Sequence, residues 1–318
     1  MNVLPPKDFV CQVCKKPFKT QRALHSHIKA HDLLLAEYYT TYYPRVDLLT
    51  GSKIPFKNKN EYFLKDFCNY SNLESWILNE DEDEVKDYMI HLLRRRLKMK
   101  RQHYAPSSLE LDTLEMPSVD LFKHKFGSYG AACQKVNTRP LFSSPLPHGF
   151  FQVNPALDDI EILIDTREKK PLNFPKSKIK KLDFGDYTAG GDDYSYTYID
   201  RKSISDFEVT FGTQNIDRFR DELNRAQQFK SFVFVVVDGM REELAQKSYA
   251  TKTGRKKVNL VFLWHRIRSL LHDYKGTVQV VFSGSRENSE KIIPKILYYG
   301  ERIWDCDLEY FIRKKVKK

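Results

Sequence analysis

Residues 9–31 read FVCQVCKKPFKTQRALHSHIKAH, and no other stretch limits the fold as tightly. Cys11, Cys14, His27 and His31 follow the spacing C-x2-C-x12-H-x3-H. Two thiolates and two imidazoles suit tetrahedral zinc, and histidines one helical turn apart share a face. Phe18 and Leu24 stand where a small ββα unit needs its two core residues. In so small a unit zinc ligation supplies much of the folding energy. The chain has five cysteines, an odd number, with two of them in C-x-x-C. That usage points to a reducing compartment and a metal site rather than a disulfide framework.

The stretch closely resembles the C2H2 zinc finger, here spanning residues 1–33 with Zn2+ as a structural ion. In such a finger the residues available to base edges are Thr20, Arg22, Ala23 and Ser26. Only Arg22 has long reach, and one finger covers about 3 bp. The finger therefore reads either as an auxiliary DNA grip or as a protein contact. His25 reads as a spare surface histidine.

At 318 residues the chain has room for two or three domains, and a hydrophobic fraction of 41% supports at least one real core. Its 53 basic against 42 acidic residues give a net charge of +11, which suits a polyanionic partner. Charge alone does not separate nucleic acid from an acidic membrane surface. No apolar run approaches the roughly 18 residues of a membrane span, and Met1 begins no signal-peptide pattern. The expected location is intracellular, cytoplasmic or nuclear, without membrane association.

Residues 34–104 form an aromatic-rich and then basic unit. Residues 38–78 carry six tyrosines, three phenylalanines and Trp76, which predicts a small helical or mixed unit packed on those rings. The acidic run from Glu80 to Glu84 reads as a solvated helix start. In residues 86–101, Met89, Leu92, Leu93 and Leu97 recur at helical spacing opposite seven Lys or Arg that include Arg94 and Arg95. The basic face is either solvated or a phosphate contact.

Residues 105–140 predict a helix-turn-helix-like arrangement. Ser118 caps a helix over Val119 to Lys125, Gly127 and Ser128 break it, a second helix runs through Ala131 and Ala132, and Asn137 closes it. With Pro117, Phe126 and Tyr129 added, the segment resembles the short DNA-binding repeat that accompanies homing endonucleases. Asn137 stands where that repeat usually has glycine. The resemblance implies DNA contacts from Lys123, Lys125 and Tyr129. Proline, serine and glycine thicken over Leu141 to Pro155, so residues 141–157 read as a linker.

From Ile160 the pattern becomes an α/β alternation. IEILID is an apolar strand ending at Asp165, and FVFVVVDG is a strand apolar on both faces. Residues 184–202, FGDYTAGGDDYSYTYIDRK, predict a hairpin whose second strand alternates with period two. Alternation puts Asp200 and Lys202 on one face and Arg201 on the other, and the hairpin returns them beside Asp186. Gathered carboxylates need a cation, and hard oxygen ligands favour Mg2+ or Mn2+. Asp165, Asp186 and Asp200 are the candidate ligands, with Lys202 beside them to offset developing negative charge.

IDTRE, LDFGDY and IDRKSISDF taken in order resemble the XPF family of DNA endonucleases, with a nuclease fold of the PD-(D/E)xK type over residues 158–318. Gly185-Asp186, Arg201-Lys202 and Asp206 match the family's Gly-Asp and Glu-Arg-Lys-x3-Asp motifs, with Asp200 in place of the glutamate. Asp165, Arg167 and Glu168 match the preceding acidic strand end, and Arg218 matches an arginine at the start of the following family helix. The resemblance implies a restriction-endonuclease-like domain with a central mixed sheet. It implies catalytic roles for Asp165, Glu168, Asp186, Asp200, Arg201 and Lys202, double-stranded DNA as substrate, and hydrolysis leaving a 5′-phosphate. It admits a homodimer through the nuclease domain. The tandem helix-hairpin-helix module with which many relatives pair and grip branched DNA is not visible here.

The whole sequence thus reads as a multidomain α/β protein: a ββα finger, a helical or mixed middle unit and an α/β nuclease domain. The expected activity is that of a metal-dependent DNA endonuclease directed to a site by its amino-terminal modules, as in viral or mobile-element nucleases. Structure-specific cleavage of branched DNA is the enzyme alternative. A DNA-binding regulator with an inactive nuclease domain is the alternative of another class.

Overall fold

A computed structural model of the protein describes residues 9–47, 50–54, 56, 62, 70–80, 82–152, 160–190, 196–244 and 259–316. The chain divides into two compact units, one of residues 1–101 and 115–136, the other of residues 102–114 and 137–318.

In the first unit, β1 (Phe9–Val10) and β2 (Pro17–Phe18) pair antiparallel, and α1 (Gln21–Ile28) follows. Thr20 caps α1 by accepting from the Ala23 N–H at 3.2 Å. The apolar face of this ββα unit does not close on itself. Cys11, Leu24 and Ile28 share a core with Tyr38 and Tyr39 of α2 (Leu35–Tyr42) and with Tyr62. The expected boundary at residue 33 therefore falls inside a shared core.

Further along are α3 (Tyr70–Asn79) and α4 (Glu82–Lys100). Met89, Leu92 and Leu93 line the buried face of α4 as the spacing predicts, together with Val85, while Leu97 is only half-buried. α6 (Val119–Phe126) and α7 (Tyr129–Gln134) are the two expected short helices, capped by Ser118 and Ser128. Gly127 lies at φ +78° and Asn137 at φ +54°, the left-handed conformation that glycine and asparagine tolerate best.

The expected 105–140 block is divided between the units. Its first helix, α5 (Ser108–Thr113), belongs to the second unit. Ser108 donates to Asp307 through its backbone N–H at 2.8 Å and its hydroxyl at 2.7 Å. Glu110 pairs with His272 at 2.8 Å, and Asp112 pairs with Arg241 and Arg313. Residues 141–152 are also part of this unit rather than a free linker. Leu141, Phe142 and Phe150 are buried apolar side chains that outweigh the surrounding proline and serine, and Ser143 donates to Asp305 at 2.6 Å. The remainder of the expected linker, residues 153–157, lies outside the described residues.

The second unit is built on a mixed six-stranded sheet. Its strands are β3 (Ile162–Ile164), β4 (Ser177–Ile179), β5 (Tyr187–Ala189), β6 (Thr197–Ser203), β7 (Phe232–Asp238) and β8 (Val278–Phe282), in the order β4-β3-β5-β6-β7-β8. β3–β5 and β5–β6 are antiparallel, while β6–β7–β8 are parallel. Parallel strands must be covered on both faces. Here Val233, Val235 and Val237 of β7 enter one core with α8 (Ile204–Gly212), α9 (Asn215–Gln228) and α10 (Leu260–Asp273). Phe232, Phe234 and Val236 enter the opposite core with α11 (Arg286–Tyr299) and α12 (Leu308–Val316). Strand alternation thus explains why FVFVVV has no polar face. Ser285 caps α11, its hydroxyl accepting from the Asn288 N–H at 3.2 Å.

Candidate functional site

The four zinc-type donors come together as the spacing requires. One donor atom from each of Cys11, Cys14, His27 and His31 lies within 4.8 Å of all the others. The Cys14 Sγ–His27 Nε2 and His27 Nε2–His31 Nε2 separations are both 3.1 Å, and Cys11 Sγ–His31 Nε2 is 3.5 Å. Bonds of about 2.0–2.3 Å to a tetrahedral zinc imply ligand–ligand edges of about 3.3–3.7 Å, so the donor set fits the ion. Desolvation first, and then the charge of His31, lowers the His27 pKa and favours the neutral imidazole that a metal needs.

The tyrosines of α2 buttress this site. The Gln12 N–H, between the two cysteines, donates to the Tyr38 hydroxyl at 2.8 Å. His25 is not a spare surface group: its Nε2 is 2.6 Å from the Tyr39 hydroxyl, and the two rings meet edge to face. Arg22 is exposed on the neighbouring face of α1.

The acidic site begins with Gly185 at φ +55°, where an added Cβ would run into the Ile199 carbonyl oxygen. This close approach lets the Asp186 N–H donate to that carbonyl at 2.6 Å. The β5–β6 ladder ends at the Tyr187–Ile199 pair, and just beyond it Asp186 Oδ2 accepts from the Arg201 N–H at 2.8 Å. The hairpin turn, residues 191–195, lies outside the described residues. Lys202 ion-pairs with Asp200 at 2.9 Å, as residues two apart on one strand face can. Arg201 points to the other face, where it meets Asp238 at 2.5 Å and Glu168 at 3.4 Å.

Burial, and then the charge of Asp200, push the Asp186 carboxyl up to about 8, while the hydrogen bond from the Arg201 N–H opposes them. Lys202 is held above the usual lysine value. Its burial opposes this, but the charge of Asp200 and the Asp200 hydrogen bond outweigh the desolvation, and Asp186 and Glu222 add to it.

Asp165 adjoins this group through the backbone, its N–H donating to the Asp186 carbonyl at 2.8 Å. Burial would raise its pKa, yet bonds from Arg167 and from the Leu182 N–H hold it below the usual range. Oδ1 accepts from the Arg167 N–H and Nε at 2.7 Å each, and Oδ2 accepts from the Leu182 N–H at 2.7 Å and from Arg167 Nη2 at 3.1 Å. Its acceptor sites are filled by the corner that ends β3, so it is not available as the expected metal ligand. Asp206 likewise serves a helix end, accepting from the Ser203 hydroxyl at 2.6 Å at the start of α8. Among the described residues, the Cys/His set is the one group of three or more such side chains close enough to surround an ion.

Two acidic residues of the site are not evident from the motifs. Glu222 of α9 accepts from the Gly185 N–H at 2.9 Å. Burial, and then Asp200, raise its pKa. Its position three residues after Phe219, at the border of the stripe Ile216, Phe219, Leu223 and Ala226, is the available sequence signal. Asp238 ends the apolar strand β7 and anchors both Arg201 and the Ser289 hydroxyl, each at 2.5 Å.

The expected nucleic-acid contacts are placed unevenly. Lys123 and Arg218 are exposed, and Lys125 and Arg95 are half-buried. Arg94 is exposed and donates to the Lys135 carbonyl at 3.4 Å. Tyr129 is buried with its ring centroid 5.1 Å from that of Phe122, so it holds α6 against α7 rather than facing a partner.

Compared with models of known protein families, with curated proteins and with solved structures, the chain matches none. No helix among the described residues is long and apolar enough to cross a membrane.

Proposed function

We propose that the protein is a metal-dependent DNA endonuclease whose phosphodiester chemistry centres on Asp186, Asp200 and Lys202. One observation carries the reading: the Asp186 carboxylate, held by the Arg201 N–H at 2.8 Å, is pushed up to about 8 by burial and then by the charge of Asp200, and the half-buried Lys202 ammonium ion-pairs with Asp200 at 2.9 Å. Such a pair calls for a proton or a cation. Mg2+ takes one or two carboxylates together with water and substrate phosphate oxygens, so Asp186 and Asp200 suffice to hold Mg2+ or Mn2+ without Asp165. When bound, the ion supplies a lowered pKa for water and charge stabilisation at the phosphodiester.

The chain's own residues have separable tasks. Lys202, kept protonated by Asp200, offers its charge to the negative charge that develops on the phosphate. Arg201 is clamped by Asp238 and Glu168, and its N–H holds Asp186 Oδ2 at 2.8 Å. Arg201 therefore orients the carboxylate from behind. The finger and the α6–α7 pair, with Arg22, Lys123 and the basic face of α4, supply phosphate and groove contacts that direct cleavage.

The test is incubation of purified protein with Mg2+ or Mn2+ and linear, flap and junction DNAs. The expected result is endonucleolytic cleavage leaving 5′-phosphates. Asp200→Asn should slow it by about 100-fold or more while DNA affinity stays within about twofold. No cleavage of any substrate with either ion, or wild-type rates in the variant, overturns the proposal.

A further inference from the structure

We propose that Glu222 is a positioning residue of the acidic site: through it, α9 braces the Gly185–Asp186 corner. The proposal rests on reading the site as one for phosphodiester hydrolysis. α9 presses Ile216, Phe219, Leu223 and Ala226 into the core beneath β7. That docking fixes the two side chains of α9 that reach the site. The Lys202 ammonium lies 5.7 Å from the centre of the Phe219 ring, and Glu222, one helical turn further on, accepts from the Gly185 N–H at 2.9 Å.

Gly185 needs such a brace more than an ordinary turn residue does. It holds a left-handed conformation, and it is pressed against the Ile199 backbone where a side chain would collide. Its N–H has its partner outside the hairpin, on α9. The next residue is Asp186, so a shift of the Gly185 peptide re-aims that carboxylate. Lys202 is held by Asp200 on its own strand at 2.9 Å and faces the Phe219 ring of α9. Glu222 thus acts through its neighbours and has no need to touch substrate. It couples the seating of α9 to the geometry of the Gly185–Asp186 corner.

Glu222→Gln and Glu222→Ala in the full chain separate this role from simple stability. An amide oxygen can still accept the Gly185 N–H, whereas alanine cannot. Labelling glycine with 15N gives a readout independent of cleavage, because the chain has only 13 glycines to resolve. The Gly185 amide should exchange slowly in wild type and in Glu222→Gln, and about tenfold faster or more in Glu222→Ala. In cleavage assays, Glu222→Ala should lower kcat by about tenfold with KM unchanged, and Glu222→Gln should recover to within about threefold of wild type. Equal Gly185 exchange in wild type and Glu222→Ala, a wild-type kcat in Glu222→Ala, or equal impairment of the two variants overturns the proposal. Should wild-type protein cut no DNA, the reading of function falls, and Gly185 exchange still decides whether Glu222 braces the corner.

Discussion

In the segment from Phe9 to Tyr43, the buried residues are a cysteine, three aliphatic side chains and tyrosines whose hydroxyls are hydrogen-bonded. In residues 160–316 they are valines, isoleucines, leucines and phenylalanines on both faces of a sheet. The first segment has little apolar surface of its own and combines a donor set compatible with zinc with a ring of tyrosines. The second depends on area removed from water. The two regions should therefore fail under different treatments.

Zinc removal is the sharpest way to test that contrast and has the largest expected effect. Structural zinc in finger peptides is worth about 10–16 kcal/mol, so a chelator or Cys14→Ser should unfold the finger. Because Cys11 shares its core with Tyr38 and Tyr39, α2 should lose its order as well, which hydrogen exchange can follow. Amides of β7 should stay protected. Loss of protection in β7, or an α2 that stays ordered, would break the comparison.

The converse damage is next in size. Phe234→Ala leaves a void among Phe232, Val236 and the α11 side chains and should cost about 3–5 kcal/mol. The variant should still bind one zinc or cobalt ion with the wild-type absorption spectrum. A spectrum altered together with sheet stability would show that the two regions fold as one.

A smaller effect is a pH slope specific to the sheet. Burial first raises the Glu309 carboxyl from 4.5 to about 7, although the Phe282 N–H and Arg241 oppose it. The folded protein then holds a proton that the unfolded chain has released between those values. Stability accordingly falls as pH rises through the window, by at most about 1.4 kcal/mol per pH unit. Glu309→Gln should flatten that part of a denaturation series, and an unchanged slope would count against the buried acid.

The smallest expected change is in the tyrosine buttress. Tyr39→Phe removes the contacts with His25 Nε2 at 2.6 Å and Gln21 Nε2 at 3.4 Å, and should cost about 1 kcal/mol in the finger without moving the melting of the sheet. A wild-type finger midpoint would mean that the ring alone, and not its hydroxyl, supports the site.

Local rules made several features legible without coordinates. The Cys/His spacing specifies a tetrahedral donor set because a thiolate knuckle and one helical turn have nearly fixed dimensions. Period-two alternation places Asp200 and Lys202 together and Arg201 apart because a strand has two faces. Ser118, Gly127 and Asn137 mark helix ends because their side chains or their backbone freedom satisfy a terminus locally. Other outcomes depend on partners distant in the chain, and those only tertiary structure decides. Asp165 has the composition of a metal ligand, yet Leu182, 17 residues away, and Arg167 occupy its oxygens. Tyr129 fits a DNA-contact motif, yet the packing of α7 on α6 turns it inward. Glu222 looks like an ordinary charge on an amphipathic helix until its 37-residue separation from Gly185 closes to a hydrogen bond. Spacing in sequence determines which groups a single element presents. Which of those groups remain available is decided when elements far apart in the chain bury one another's polar atoms, because each buried donor or acceptor must find a partner.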